Sequence, residues 1–144
     1  MFRLDQVWAW AISWDQAHAA QVLTLMQKSF MKTGAPDALG YMMNLGYQQG
    51  VPVYMVQGMF CGTREAGLQA IAPLLAIPSA QLLVDKTGTY PEMNIWLEDH
   101  PYTLPDNLPD GVAETKASGY ISTPLSPADW QRIIDYFKTS PNPW

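Results

Sequence analysis

From Gln6 to Trp14 the chain alternates large and small side chains without a break. Trp8, Trp10, Ile12 and Trp14 share one face of a period-two pattern, and Val7, Ala9, Ala11 and Ser13 share the other. Alternation of this kind, rich in aromatics, specifies a β-strand.

The segments that follow fit around such a strand. Asp15 stands where an N-cap would, and Ala19, Val22, Leu23, Met26 and Phe30 recur at helical spacing. This predicts a helix ending near Lys32, with Gly34 as its stop and Pro36 beyond. Residues 38–47 and 51–61 read as two strands joined by the turn signal Gln48-Gln49-Gly50, hence an antiparallel hairpin. Pro52 sits at a strand beginning, where proline is tolerated.

Thr63 caps a second predicted helix, and Pro73 inside its apolar stripe predicts a bend or a split. Residues 81–84 read as a short strand and residues 90–97 as a short helix or turn, with Pro91 in a permitted first-turn position. Residues 99–113 form a Pro-rich loop, and residues 114–121 read as a further strand. Ser126 caps the last helix with Pro127 at its first position, and Leu125 and Trp130 are spaced for a hydrophobic staple. Residues 140–144 are expected to be irregular. The order approximates βαββαβ: an α+β, ferredoxin-like antiparallel sheet with helices packed on one face.

A chain of 144 residues with 48% apolar and 15% charged residues suits one globular domain. A net charge of −5 with only 8 Lys and Arg argues against nucleic acid as a partner. No apolar run reaches the roughly 18 residues of a spanning helix, and no basic cluster favours a membrane surface. The first residues lack signal-peptide character, so a cytoplasmic location is expected. Cys61 is the single cysteine, which excludes an intrachain disulfide. Its apolar neighbours predict a buried strand thiol. With 6 Trp, 7 Tyr and 8 Met the chain is rich in residues that line pockets and interfaces as well as cores.

If the helices cover one face of the sheet, the other is open. Tyr54, Val56, Gly58 and Phe60 alternate with Val53, Met55, Gln57 and Met59, while Tyr41, Met43 and Leu45 oppose Met42 and Asn44. On the later strand Lys116, Ser118 and Tyr120 share a side. The faces bearing Asn44, Gln57, Lys116 and Tyr120 are the better candidates for the open side. They also carry Met42, Met55 and Met59, and so apolar a face calls for a ligand, a partner domain or a second copy.

Several segments resemble those of berberine-bridge-type, vanillyl-alcohol-oxidase-like FAD-linked oxidoreductases. Val7-Trp8-Ala9-Trp10-Ala11-Ile12 is similar to a strand of the family's substrate-side domain, and Trp14-Asp15-Gln16-Ala17 to the helix start that follows. Gly58-Met59-Phe60-Cys61-Gly62 is similar to its strand-Gly-helix segment. Tyr90-Pro91-Glu92-Met93-Asn94 resembles its Tyr-x-x-Met-Gln element, and Lys116-Ala117-Ser118-Gly119-Tyr120 its Lys-Ser-Gly-Phe strand. The resemblance covers nearly the whole chain in order.

The family's flavin domain has no counterpart in these residues. No Arg-x-x-Gly-Gly-Gly-His-like segment occurs, and neither His18, His100 nor Cys61 matches a flavin-linking position. The resemblance therefore implies that this chain binds no cofactor alone, and FAD only where a separate flavin-binding subunit supplies it.

No P-loop, nucleotide-binding glycine pattern, HExxH or nucleophile elbow is present. Two distant histidines make a metal site an unfavourable reading. Glu92, Glu98 and Asp99 cluster, yet read more simply as exposed charges. Lys116 and Tyr120, on one strand face, are the candidate catalytic pair for polarising a carbonyl or enolate. Trp10, Met42, Asn44, Met55, Gln57, Met59 and Ser118 are the candidate substrate-binding residues.

Three functions remain open. The chain is the substrate-binding domain or subunit of an FAD-linked oxidoreductase acting on a hydrophobic small molecule of specialised metabolism. Alternatively, it is a cofactor-independent cyclase or isomerase, or a small-molecule-binding protein, working on the open face. As a third reading, it is a non-catalytic self-association domain forming a homodimer.

Overall fold

The computed structural model describes residues 6–30, 35–48, 51–99, 121 and 123–139. Its sheet has β1 (Val7–Ser13), β2 (Leu39–Gln48), β3 (Val51–Phe60) and β4 (Gln81–Gly88) in the order β2-β3-β1-β4, each neighbour antiparallel. The β1–β2 connection carries a 3₁₀ turn (Gln16–His18), α1 (Ala19–Leu25) and a π-helical turn (Met26–Phe30), and α2 (Arg64–Leu75) joins β3 to β4. That is the expected α+β, ferredoxin-like topology. Its fourth strand is the segment from Gln81, which runs to Gly88 rather than stopping at Val84. The strand predicted over 114–121, the loop predicted over 99–113 and the tail 140–144 lie outside the described residues, save Asp99, which ends a helix, and Ile121.

The bulky face of β1 builds the core. Trp8, Trp10, Ile12 and Trp14 pack with Val22 and Met26 from the first crossover, Ile71 and Leu74 from α2, and Val56 and Phe60 from β3. Burying each large apolar side chain is worth roughly 1.5–3 kcal/mol, so this row dominates the stability of the sheet. Trp8 also satisfies its ring N–H, donating to Asp85 Oδ1 at 2.8 Å. Arg64 grips the same carboxylate through two nitrogens, at 2.7 and 2.6 Å, and this pairing first, then the Trp8 bond, holds Asp85 below the usual carboxylate range.

α4 (Pro127–Thr139) lays Trp130 and Ile134 against Ala19, Leu23 and Tyr54. Leu125 joins this cluster, as the staple predicts. Ser126 and Asp129 close a reciprocal cap: Ser126 N–H donates to Asp129 Oδ2 at 3.0 Å, and Asp129 N–H donates to Ser126 Oγ at 3.2 Å.

α3 (Tyr90–Asp99) is the helix that does not join this layer. Its Met93 packs with Val7, Ala9 and Met59, the small face of β1, and so covers one end of the opposite side of the sheet. The helices that cross between strands share one face, while α3 partly roofs the other.

Three local expectations are corrected. Asp15 has extended backbone geometry but caps nothing with its side chain; its N–H instead donates to Ser79 Oγ at 3.1 Å. Of the bend or split expected at Pro73, the split does not occur: the proline lies inside one continuous helix, two residues before its end. Cys61 is exposed, not buried: β3 ends at Phe60, and the next residue leaves the sheet with only its N–H tied, donating to Ala38 O at 2.8 Å. Among the described residues no helix is long and apolar enough to cross a membrane.

Candidate functional site

The face of the sheet away from the core has rows set by strand register. Gly40, Met59 and Ala9 pair across β2, β3 and β1; Met42, Gln57 and Ala11 form the next row; Asn44, Met55 and Ser13 the third. Partners in an antiparallel ladder project to the same side. The assignment of Met42, Asn44, Met55, Gln57 and Met59 to one face therefore follows from the ladder.

A groove of about 260 Å³ opens on this face. It is lined by Gly40, Tyr41 and Met42 of β2, Gln57, Gly58 and Met59 of β3, and Asn94 of α3. α3 supplies one bank because Met93 is anchored on Ala9 and Met59, and Asn94 follows it in the helix. Met42 is 57% exposed, so the second bank is an uncovered thioether side chain.

Two glycines shape the floor, for different reasons. A Cβ at Gly58 would lie 2.1 Å from Gly40 O, 2.9 Å from Tyr41 Cα and 3.0 Å from Trp10 Cζ2. Only glycine lets β2 swing this close across β3 above the Trp10 ring. A Cβ at Gly40, by contrast, would meet no atom of a described residue within 4 Å.

The candidate residues divide accordingly. Met42, Gln57 and Met59 come together in the groove. Asn44 and Met55 pair with each other two residues further along the same face, outside it, and Met55 is buried rather than open. Trp10, named as a substrate-binding candidate for its aromatic ring, is instead fully buried on the core side, packed among the helices. It supports the floor from beneath Gly58 and touches no open groove. Lys116, Ser118 and Tyr120 lie outside the described residues, so their roles rest on the sequence. Sequence reasoning missed Gly40, Tyr41, Gly58 and Asn94. Asn94 stood in the Tyr90–Asn94 segment, but helical spacing alone does not tell which side of the sheet a helix returns to.

Chemically, the groove offers two thioethers, two primary amides and exposed backbone. The groove does not fit a whole FAD. Its volume of about 260 Å³ falls below the roughly 300–1,000 Å³ usual for a drug-sized ligand. No cation lines it to meet a pyrophosphate. The start of α3, the nearest helix N-terminus, is already filled by Glu92, which accepts from Thr89 N–H and Thr89 Oγ1, both at 2.8 Å. These two bonds, the backbone one first, hold the Glu92 carboxyl below its ordinary range. Among the described residues no three His, Cys, Asp or Glu side chains gather as a metal site.

Neither protein-family models nor curated proteins give a match to this sequence. Solved structures do. The chain is similar to FgChi7B, with 27% identity and a TM-score of 0.58, over 69% of this chain and 20% of that one. It is also similar to the xylooligosaccharide oxidase from Myceliophthora thermophila C1 in complex with xylobiose, with 17% identity and a TM-score of 0.62, over 94% of this chain and 29% of that one. The chain thus spans less than a third of the length of either structure. At the level of fold alone, it resembles part of an FAD-linked oxidase.

Proposed function

We propose that this chain is the substrate-binding side of an FAD-linked oxidoreductase, with the groove on the sheet face away from the core receiving a small ring-shaped molecule and the flavin held by a separate unit. The observation that carries this reading is the groove between β2, β3 and α3, with its thioether banks and the Gln57 and Asn94 amides. A mostly apolar hollow with a few polar groups is the usual make-up of a small-molecule site. The ring's apolar face would lie along Met42 and Met59, and rim hydroxyls would meet the amides. A saccharide unit has both features. The fold likeness to an oxidase captured with xylobiose favours it over the purely hydrophobic ligand expected from sequence.

The role assigned to the chain is binding and orientation, not redox chemistry. Holding a substrate in one attitude is itself a large part of catalysis when a second unit supplies the reacting group.

The test is titration of the purified, isotope-labelled protein with xylobiose, followed by amide chemical shifts. Shifts concentrated on β2, β3 and the first turn of α3, and weakened in Gln57→Ala, are expected. No shift at millimolar sugar, or shifts confined to the helix layer, would overturn the reading. An absorbance spectrum of the same sample checks the second half: a stoichiometric flavin band would contradict a flavin held elsewhere.

A further inference from the structure

We infer that Gly40 determines which rings the groove admits, its missing side chain being the space for an exocyclic substituent of the ligand. This rests on the reading of the groove as a binding site.

Five glycines have described surroundings, and four are accounted for by the protein itself. Gly58 is pressed by the β2 backbone and Trp10, and Gly67 by the Trp8 ring, where a Cβ would lie 2.3 Å from Cε3. Gly88 is pressed by Met93 Cε at 2.9 Å and Glu92 Oε2 at 3.0 Å. Gly62 has a φ of +157° and Phe60 Cε1 at 2.8 Å.

Gly40 has neither reason. A Cβ there meets no atom of a described residue within 4 Å, and its φ is not in the left-handed region. Glycine weakens a strand, and inside one it marks a bulge or a place where something approaches the backbone closely. β2 pairs with β3 without a bulge, from Leu39↔Phe60 to Gln48↔Val51. What remains is an approaching group from outside. The open-face register places Gly40 beside Met59 and one step of alternation from Met42, inside the groove. Any side chain at position 40 would stand in the hollow between the thioethers.

Xylobiose and cellobiose test this, because each ring of the second carries an exocyclic hydroxymethyl group that the first lacks. The wild-type protein is expected to bind cellobiose at least as tightly as xylobiose. Gly40→Ala should weaken cellobiose about tenfold more than xylobiose, the scale on which one methylene discriminates in a shaped pocket. Gly40→Val should abolish binding of both, while its unfolding temperature stays equal or rises. If the wild type takes xylobiose but not cellobiose, or if the folded Ala variant weakens both sugars equally or neither, the inference falls and the binding reading stands. If the wild type binds no sugar, both fall.

Discussion

Replacing Gly67 by Ala should destabilise this protein, although the same change in an ordinary helix stabilises. Gly67 lies in α2, where Ala is preferred to Gly by about 0.8–1 kcal/mol. The new methyl would lie 2.3 Å from Trp8 Cε3, 2.8 Å from Cζ3 and 3.2 Å from Phe60 Cβ. Carbon atoms rest at roughly 3.5–4.0 Å, so the overlap exceeds an ångström. The ring cannot slide away. Trp8 is fully buried, tied to Asp85 through its ring N–H, and stacked on Trp10 at a centroid distance of 6.3 Å.

The helix must then lift off the sheet and loosen Ile71 and Leu74, which face the same core. Overpacking of this kind costs about 1–3 kcal/mol, and here the upper half of that range applies because backbone has to move. Subtracting the propensity gain leaves a net loss of about 1–2 kcal/mol. At roughly 2–4 °C per kcal/mol for a chain near this size, the midpoint falls by about 2–8 °C. Urea unfolding of both proteins, compared at equal m, measures it. A Gly67→Ala protein as stable as the parent would refute the close approach of α2 to Trp8. Gly40→Ala is the matched control, with no neighbour to displace and an expected change of zero or a slight gain.

Gly58→Ala should lose more than Gly67→Ala, because the obstructing atoms at 2.1 and 2.9 Å are β2 backbone; thermal unfolding of the two variants side by side ranks them. Gln27→Leu removes both bonds that its amide makes to the Leu125 backbone, at 2.9 and 2.8 Å, and leaves part-buried backbone groups unpaired. A loss of about 1–3 kcal/mol is expected, read as faster amide exchange in α4 than in the sheet; equal protection in both would contradict it. The Asp129 carboxyl is lowered from 3.8 to about 2, first by the Ser126 hydroxyl and backbone and then by Arg132. Its folded value is depressed, so its support for α4 is complete above 3.8 and is lost as pH falls through about 2. Helical signal should therefore fall over that interval in the parent and lose this component in Asp129→Asn.

The fold was legible where one residue's period left a single choice. The nine-residue alternation at the start, the antiparallel pairing of β2 with β3, the Thr63 cap and the Ser126-Pro127 start each appear where the pattern put them, and Thr63 Oγ1 does accept from Ala66 N–H at 3.2 Å. The two faces of β2 and β3 were legible for the same reason. Chains of local signals fail where position depends on a distant surface. Cys61 was read from apolar neighbours, but its burial depended on where β3 ends. Trp10 was read from its chemistry, but a strand with one bulky and one small face can send the bulky face only to the deeper layer.

That last point also explains where the groove is. Once Trp8, Trp10, Ile12 and Trp14 fill the space under the helices, the reverse side of β1 is left with Val7, Ala9 and Ala11, too short to raise a wall. Met93 of α3 can then settle onto Val7 and Ala9 beside Met59. The neighbouring strands β3 and β2 bring longer residues, Met59, Gln57 and Met42, and the close approach of β2 over Gly58 draws their banks together. The hollow is thus a consequence of the tryptophan alternation that organises the core. Enlarging the small face, for example by Ala9→Leu, should displace Met93 and with it Asn94, disturbing the groove from a position that does not itself line it. Xylobiose titration of that variant, together with its Met93 methyl shift, distinguishes a bank built by α3 from one that β2 and β3 form alone.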